Sequence, residues 1–309
     1  MKSNPKNFKF KHSLGQNFII DEFLLEDIAD ESGITKDDFV LEIGPGNGAL
    51  TKCLCDRAKH VVAVEIDKSL IPLLTSNLKD YKNVSIINAD FMELDFQTIL
   101  NAFAVGANAE SVGANACGAR CRGELCEPIV GASLRARIKV VANLPYYITS
   151  PIINILLQNP YVSEMTLMVQ KEVAERIVAT PGGKDYGILT LACNYFASTE
   201  MIMVVSKNCF FPVPKVDSAV VHFTKHNVEA NNCKSLNNDS ANSDEYQKLF
   251  KLIKASFAQR RKKLLNSLTN AGYDKDTVAR ALSELGFDEN VRAENLSLDD
   301  YRKLLKFFL

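Results

Sequence analysis

The sequence predicts an α/β protein in which a Rossmann-like domain is followed by a small all-helical domain. Short apolar runs alternate with segments of helical spacing through the first half of the chain, which is typical of a mostly parallel sheet covered by helices. A glycine-rich turn follows the first of these runs, as it does in nucleotide-binding folds of this class. The C-terminal part carries only helical spacing, which indicates a second, helical domain.

The first half of the chain repeats a strand-turn-helix pattern. Short apolar runs predict parallel strands over 39–43, 61–67 and 84–87. Apolar residues at helical spacing predict helices over 22–33, from Ala49 onward and over 70–78. Because the carboxyl ends of parallel strands share one edge of a sheet, we expect the ligand to bind at that edge.

The second half of the sheet follows a stretch of different texture. Residues 97–137 are rich in Ala, Gly, Asn and Ser and contain a near-repeat, which predicts a low-complexity surface insertion. Beyond it, the pattern predicts a strand over 138–142, a helix over 151–157 and a strand over 165–169. Two late apolar runs, 201–205 and 218–223, suit antiparallel strands that close the sheet.

Composition changes again near residue 228. The segment 228–244 is rich in Asn, Ser and charge, which predicts a linker. We therefore expect an α/β domain over 1–227, with its insertion at 97–137, and a helical domain over 245–309. Helical spacing in that domain covers 246–256, 262–268, 277–285 and 298–308.

The overall composition bounds the class of protein. The 309 residues are 47% apolar and 24% charged, which excludes disorder of the whole chain. The sequence shows no apolar run of membrane-spanning length and no apolar signal core at its N-terminus, so we expect a cytoplasmic protein without a membrane partner. Its eight cysteines are expected to be reduced thiols. Cys117, Cys121 and Cys126 lack paired C-x-x-C units, so no metal site is expected.

The turn after the first strand has the pattern G-x-G-x-G at Gly44, Gly46 and Gly48. It differs from the turn of dinucleotide enzymes and from the phosphate-binding loop, and no lysine follows it, which disfavours a triphosphate ligand. Glu65 ends the next strand, where a carboxylate can accept both hydroxyls of a ribose, and Asp90 follows a third, where it can accept an adenine amine. Singly, each acid could instead be a helix N-cap or a solvated strand end. Together they indicate adenosine bound without phosphate, which fits S-adenosylmethionine.

The tetrapeptide Asn143-Leu144-Pro145-Tyr146 ends the fourth predicted strand. An adenine amine is a poor nucleophile, and the Asn143 and Leu144 carbonyl oxygens could accept its two hydrogens and aim its lone pair. Pro145 would stiffen the turn, and Tyr146 could stack on the base. A simple Asn-x-Pro turn is the alternative. Phe210, in a proline-stiffened loop, is our candidate for a second aromatic wall, and a core role is its alternative.

Charge is unevenly distributed although the net charge is only −1. Lysines, including Lys9 and Lys11, crowd the N-terminus, and a second basic cluster contains Arg260, Arg261 and Lys262. Taken alone, these clusters are typical of solvated surface runs.

Several motifs in order resemble those of the ribosomal RNA small-subunit adenine dimethyltransferase family. They are Leu14-Gly15-Gln16-Asn17-Phe18, Glu42-Ile43-Gly44-Pro45-Gly46, the tetrapeptide at 143–146, Gln170-Lys171-Glu172-Val173, the Phe210-x-Pro212-x-Pro214-Lys215-Val216-Asp217-Ser218 run, Gln259-Arg260-Arg261-Lys262 and Arg292-Ala293-Glu294-Asn295. The resemblance implies a class I methyltransferase domain plus a helical domain. It also implies dimethylation of two adjacent adenosines in the 3′-terminal hairpin of 16S rRNA in the 30S particle, with four S-adenosylmethionine molecules consumed.

The resemblance also implies roles for individual residues. Asn17 and Ile19 would line the methionine end of S-adenosylmethionine, Gly44 and Gly46 its loop, Glu65 the ribose, Asp90 the adenine and Asn143 the methyl-transfer site. With RNA as the substrate, the basic residues become predicted phosphate contacts: Lys9, Lys11, Arg260, Arg261 and Lys262. The insertion at 97–137 departs from the family pattern, and it could alter RNA docking.

Two rival functions remain open at this point. The related macrolide-resistance methyltransferases modify 23S rRNA, but Leu144 and the C-terminal Gln-Arg-Arg-Lys and Arg-Ala-Glu-Asn motifs favour the small-subunit family. A mainly non-catalytic checkpoint factor for 30S assembly is the other rival. Nothing in the sequence indicates an obligate interface, so we expect a monomer.

Overall fold

The computed structural model of the chain describes residues 17–107, 138–226, 240–259 and 262–309. It divides into two compact units. The sheet unit comprises Met1–Ala174 and Glu200–Lys225, and the helical unit comprises Glu175–Thr199 and His226–Leu309. Among the described residues, no helix is both long enough and apolar enough to cross a membrane.

The described residues form the strands β1 Phe18–Ile19, β2 Phe39–Ile43, β3 His60–Glu65, β4 Val84–Asn88, β5 Ile138–Asn143, β6 Val162–Gln170, β7 Ala197–Val205, β8 Phe210–Phe211 and β9 Ser218–Lys225. Seven of them form the sheet on which the sheet unit is built, in the order β4-β3-β2-β5-β6-β9-β7, and β1 and β8 form a separate two-stranded pair. Neighbours from β4 to β6 pair in parallel, and β9 pairs antiparallel with β6. The predicted α/β class is confirmed.

Helices alternate with the strands along this part of the chain. They are α1 Glu22–Glu31, α2 Ala49–Arg57, α3 Ile71–Asn77, α4 Phe96–Ala107, α5 Thr149–Gln158 and α6 Lys171–Ile177. Among them, α2, α3, α4 and α5 each connect two parallel strands. Asp21 begins α1, because its carboxylate accepts from the backbone N–H groups of Phe23 and Leu24. Every residue of β2 and β3 is buried, as expected for central strands covered on both faces.

The prediction of a low-complexity insertion over 97–137 is wrong for its first part. Residues 97–107 belong to α4, where Ile99, Leu100 and Phe103 are buried. Their spacing places three apolar side chains on one helix face, and the ring of Phe103 packs edge-on against Phe39 of β2. The Ala- and Gly-rich composition masked this stripe in the sequence. The rest of the predicted insertion lies outside the described residues.

The helical unit has a core of its own. Its helices are α7 Ile188–Phe196, α8 Ser240–Phe257, α9 Leu264–Asn270, α10 Lys275–Glu284 and α11 Leu298–Leu305. Tyr186 is buried in this core, and its hydroxyl donates a hydrogen bond to the backbone oxygen of Leu296. Because Tyr186 and Leu191 bury their side chains there, the segment Glu175–Thr199 belongs to the helical unit. The prediction that the α/β domain covers all of residues 1–227 is therefore wrong for this segment. In addition, α8 begins at Ser240, inside the predicted linker 228–244.

His60 is a buried neutral histidine that should make the fold sensitive to acid. It is 3% exposed, and its Nε2 lies 2.9 Å from the hydroxyl of Ser85. Burial lowers the pKa of His60 from 6.5 to about 4. Since the unfolded chain binds the proton more tightly, stability is lost as the pH falls from 6.5 towards 4. We expect about 2 kcal/mol of this loss at pH 5, measured by chemical unfolding at pH 7.5 and pH 5.

The control for this experiment is His60→Gln, which cannot titrate. Its stability should fall less than that of the wild type between the two pH values. Equal losses in both proteins would show that His60 is not the responsible group.

Candidate active site

A pocket opens at the carboxyl ends of β2, β3 and β5. Its lining comes from the segment 17–19, the glycine turn 44–47, the start of α2, the end of β3 and the tetrapeptide 143–146, with Leu25, Glu42 and Leu70. This is the edge of the sheet where parallel α/β folds bind their ligands.

The glycine turn packs closely against the ring of Phe18. Gly44, Gly46 and Gly48 all have positive φ angles, of 73°, 59° and 80°, which glycine adopts without steric cost. A Cβ atom on Gly46 would lie 2.6 Å from Cε1 of the Phe18 ring, which itself lines the pocket. The turn therefore needs glycine at position 46 both for its backbone conformation and for its contact with Phe18.

Glu65 is fixed at the end of β3 by the backbone around it. Its Oε2 accepts from the N–H of Gly46 at 3.0 Å, and its Oε1 accepts from the N–H of Asp67 at 2.8 Å. Burial raises the pKa of Glu65, and these two N–H groups oppose that shift by favouring the carboxylate. Each oxygen retains acceptor capacity. The side chain can therefore receive a pair of hydroxyl groups from a ligand.

Asn143 ends β5, which lies on the other side of β2 and its glycine turn from Glu65. Its Nδ2 donates to the backbone oxygen of Asn17 at 3.2 Å. This bond turns the amide so that Oδ1 is the atom left to accept from a ligand. The backbone N–H of Leu144 donates to the oxygen of Met168 on β6 at 3.0 Å, which holds the tetrapeptide in register with the sheet.

Tyr146 is anchored at its hydroxyl end. The hydroxyl lies 2.6 Å from the hydroxyl of Ser218, the buried first residue of β9. Burial raises the pKa of Tyr146, and the hydrogen bond to Ser218 opposes this shift. Tyr146 also lines the pocket. The hydrogen bond to Ser218 therefore sets the position of its ring before any ligand arrives. A planar ligand can pack against such a fixed ring.

The structure brings most of the predicted site residues into this pocket. Its lining includes Asn17, Ile19, Gly44, Gly46, Glu65, Asn143, Leu144, Pro145 and Tyr146. Asp90 is not part of the lining, and its Oδ1 accepts from the backbone N–H of Met92 at 2.9 Å. Asp90 therefore holds a turn after β4, and its contact with adenine stays a prediction.

Phe210 does not form the predicted aromatic wall in this structure. It is fully buried in the core of the sheet unit and does not line the pocket. Successive residues of a strand point to opposite faces, so Phe210 of β8 faces inward, whereas the neighbouring Phe211 is 42% exposed. The core role that the residue type allowed is the one observed.

The predicted RNA contacts are only partly described. Lys9, Lys11, Arg260 and Arg261 lie outside the described residues. Lys262 is exposed, and its backbone N–H donates to the oxygen of Gln259. Cys117, Cys121 and Cys126 also lie outside the described ranges. Within those ranges, no group of three or more His, Cys, Asp or Glu side chains could hold a metal ion.

Sequence reasoning assigned no role to one pocket residue, Glu42. It is 2% exposed, and it lines the pocket from the strand just before Gly44. The signal was present in the sequence, because Glu42 is the one charged residue in the strand Phe39–Ile43. A buried acid in a central strand needs a compensating partner.

Comparisons with known proteins show which family the chain belongs to. The ribosomal RNA adenine dimethylase family matches residues 7–309. The chain is 40% identical over 303 residues to ribosomal RNA small subunit methyltransferase A of Clostridium botulinum, covering 97% of this chain and 94% of that protein. It is 42% identical over 306 residues to the protein of the same name in Lachnoclostridium phytofermentans, covering 97% and 92%.

Solved structures support the fold. A dimethyladenosine transferase from Plasmodium falciparum superimposes with a TM-score of 0.67 at 24% identity, covering 94% of this chain and 97% of that one. The 23S rRNA methyltransferase ErmE superimposes with a TM-score of 0.62 at 24% identity, covering 94% and 98%. With the match over nearly its whole length, the chain belongs to the ribosomal RNA adenine dimethylase family.

Proposed function

We propose that this protein transfers methyl groups from S-adenosylmethionine to the N6 atoms of two adjacent adenosines in the 3′-terminal hairpin of 16S rRNA. The substrate is the 30S particle, and each adenosine becomes dimethylated. The observation that carries the proposal is the meeting of the glycine turn, Glu65 and the tetrapeptide 143–146 in one pocket, in a chain of the ribosomal RNA adenine dimethylase family.

The pocket suits an adenosine that carries positive charge and no phosphate. Among its lining residues, Glu42 and Glu65 are acidic and none is Lys, Arg or His. A lining without cationic side chains offers no charged partner to a phosphate, and the Glu65 carboxylate favours a cation. Glu65 binds the ribose hydroxyls, and the apolar side chains of Ile66 and Leu70 flank the adenine. When bound, S-adenosylmethionine supplies an electrophilic methyl group on its sulfonium.

Asn143 and Leu144 activate the target amine by orienting it. The Oδ1 of Asn143 and the backbone oxygen of Leu144 each accept one hydrogen of the adenine amine. This pair of acceptors draws the nitrogen towards tetrahedral geometry and aims its lone pair into the pocket. No strong base is required, because the methylated amine is acidic enough to lose its proton to water.

The target base leaves its stack to reach these acceptors. Tyr146 packs on one face of the base, and its bond to Ser218 keeps the ring in place. Pro145 precedes the ring with a φ of −60°, which limits the freedom of the turn. The tetrapeptide therefore combines two acceptors and one stacking surface on a rigid support.

Methyl transfer to isolated ribosomal particles tests this function and separates it from its rivals. Radiolabelled S-adenosylmethionine is incubated with unmethylated 30S particles or with 50S particles. Label should enter the 30S particles alone. Label in 50S particles would indicate a 23S rRNA methyltransferase. Tight 30S binding without label would indicate a mainly non-catalytic assembly factor.

The basic cluster at Arg260 and Arg261 is proposed to bind rRNA phosphates. Replacing both arginines by alanine should reduce the slope of log affinity against log salt by about 1.4 to 1.8, because each lost phosphate contact lowers the slope by about 0.7 to 0.9. Binding to 30S particles at several salt concentrations measures this slope. The double replacement of Lys79 and Lys82, which are exposed on the sheet unit, removes the same charge. If both double variants change the slope equally, the effect is one of net charge only.

A further inference from the structure

Tyr147 presents an aromatic ring to solvent directly beside the pocket. It follows Tyr146 in the one-turn 3₁₀ helix Tyr146–Ile148, and it is 54% exposed. The structure describes all nine tyrosines of the chain, and Tyr147 is the only exposed one among them. Among the described residues, its hydroxyl has no hydrogen-bond partner, whereas the hydroxyl of Tyr146 is bonded to Ser218. The contacts within the fold therefore give no reason for an aromatic residue at this position.

The backbone that carries Tyr147 is held in place. The N–H of Ile148 donates to the backbone oxygen of Pro145 at 3.2 Å, and the hydroxyl of Thr149 donates to the same oxygen at 3.2 Å. Successive residues of a 3₁₀ helix are about 120° apart around its axis, so Tyr147 and Tyr146 point in different directions. Tyr146 lines the pocket and Tyr147 does not. The ring of Tyr147 therefore lies at the rim, outside the space proposed for the target base.

A second part of the rim has exposed side chains that suit a nucleic acid. The segment 211–217 begins at Phe211, the cross-strand partner of Phe18, and it ends next to Ser218, which is bonded to Tyr146. Because Phe18 and Tyr146 both line the pocket, this segment connects two of its walls. None of its exposed side chains is acidic, and they are Phe211, Val213, Lys215 and Val216. Apolar side chains with a lysine suit the bases and phosphates of an unpaired strand.

The proposed substrate has two adjacent adenosines, but the pocket has one set of groups for a target base. That set is the pair of acceptors on Asn143 and Leu144 with the ring of Tyr146. A base that leaves its stack for the pocket exposes one face of the base next to it. Consecutive Cα atoms are about 3.8 Å apart, which is close to the rise of about 3.4 Å between stacked nucleotides of one strand. Two consecutive tyrosines therefore match two consecutive bases in spacing.

We propose that the ring of Tyr147 stacks on the adenosine adjacent to the one in the pocket and so positions the pair of adenosines for reaction. This inference rests on the proposed function, because it requires an RNA with two adjacent target bases. The stack replaces the one that the neighbouring base loses when the target base moves into the pocket. The ring face makes this contact, and the hydroxyl of Tyr147 takes no part in it.

Three variants on unmethylated 30S particles test the stack. The particles are kept below saturation, and mass spectrometry gives the initial rate of methylation at each adenosine. Tyr147→Ala should lower this rate about tenfold at one adenosine or at both. Tyr147→Phe should stay within about twofold of the wild type, because it keeps the ring. Tyr147→Leu is apolar but cannot stack, so it should remain close to the alanine variant. The affinity for S-adenosylmethionine, measured by calorimetry, should not change in any of them.

The matched control is Val105→Ala, which removes an exposed apolar side chain at the other edge of the sheet. Val105 is 62% exposed on α4. Phe103 of the same helix packs against Phe39 and His60, which begin β2 and β3, so this end of α4 lies opposite the pocket. Val105→Ala should keep the wild-type rate. A loss as large as that of Tyr147→Ala would contradict a specific role for Tyr147.

A second measurement removes the other partner of the stack. 30S particles are assembled with 16S rRNA in which one or the other of the two adenosines is an abasic nucleotide. In at least one of these two forms, the wild type should react about tenfold more slowly at the remaining adenosine. Tyr147→Ala should lose no more than about twofold in the same form, because its stack is already absent. Because the wild type alone gives the first of these results, the inference can be refuted even if a variant does not fold.

Several outcomes would overturn the assignment. An unchanged rate for Tyr147→Ala would remove Tyr147 from the contact with RNA. Equal losses of the wild type and Tyr147→Ala on the abasic particles would mean that the ring does not contact the neighbouring base. Failure of Tyr147→Phe to restore the rate would move the contact to the hydroxyl. If the wild type instead transfers no methyl group to intact 30S particles, the proposed function itself is refuted.

Discussion

Asn143→Ala is expected to lower the methyl-transfer rate by about a hundredfold or more while changing the affinity for S-adenosylmethionine only slightly. The replacement removes Oδ1, one of the two acceptors proposed for the adenine amine. That acceptor acts when the amine approaches the methyl group, so the loss should fall on turnover. Single-turnover methylation of unmethylated 30S particles gives the rate, and calorimetry gives the affinity.

The control for this variant is Asn154→Ala, which removes the same amide from an exposed position on α5. It should keep the wild-type rate. Full activity of Asn143→Ala would contradict the proposed orientation of the amine. A loss of affinity as large as the loss of rate would show that Asn143 mainly supports the pocket, through its bond to Asn17.

Gly46→Ala is expected to weaken the binding of S-adenosylmethionine by about a hundredfold. A Cβ atom at this position would lie 2.6 Å from Cε1 and 2.9 Å from Cδ1 of Phe18, so the ring must move into or away from the pocket it lines. The positive φ of 59° adds backbone strain of about 1 kcal/mol or more. Calorimetric titration with S-adenosylmethionine measures the loss.

Gly33→Ala is a matched control, because Gly33 has the same φ of 59° and its added Cβ would meet nothing within 4 Å. Both variants therefore carry similar backbone strain, and only Gly46→Ala displaces Phe18. We expect Gly33→Ala to lose some stability and to keep its affinity. Equal affinity losses in the two variants would mean that strain, and not the contact with Phe18, controls the pocket.

Much of the fold was predictable because its strands are short, apolar and punctuated by glycine. The strand 39–43 was predicted with the bounds that the structure gives, and the helix after Gly48 begins at the predicted Ala49. Both follow from local signals, namely a buried run and a left-handed glycine before a helix. The tetrapeptide 143–146 was placed correctly for the same reason, since it follows the apolar strand β5 directly.

Features that depend on distant contacts were harder to predict. The helix Phe96–Ala107 is held by packing against β3 and β4. The Ala- and Gly-rich composition of the region indicates low complexity and not a buried helix. The assignment of Glu175–Thr199 to the helical unit depends on where Tyr186 buries its ring. The helix has only a short apolar stripe as its local signal, and the domain assignment of Glu175–Thr199 has none.

The errors in the site have a similar origin. The motif around Phe210 identified the loop, but the pairing of β1 with β8 decides which of its two rings faces the core. Glu42 belongs to one of the motifs, but its burial at the wall of the pocket depends on how the glycine turn and Glu65 assemble around it. The spacing of residues in the sequence predicts where a strand ends. The direction in which a side chain points depends on the packing of the whole fold.

Nucleoside analysis of the methylated RNA tests the central claim most directly. Unmethylated 30S particles are incubated with the protein and excess S-adenosylmethionine, and the 16S rRNA is digested and analysed by mass spectrometry. The proposed function predicts two N6,N6-dimethyladenosines per 16S rRNA, and therefore four methyl groups, all within the 3′-terminal hairpin. A reaction that ends with monomethylated adenosine, or with methyl groups elsewhere in the RNA, would contradict it.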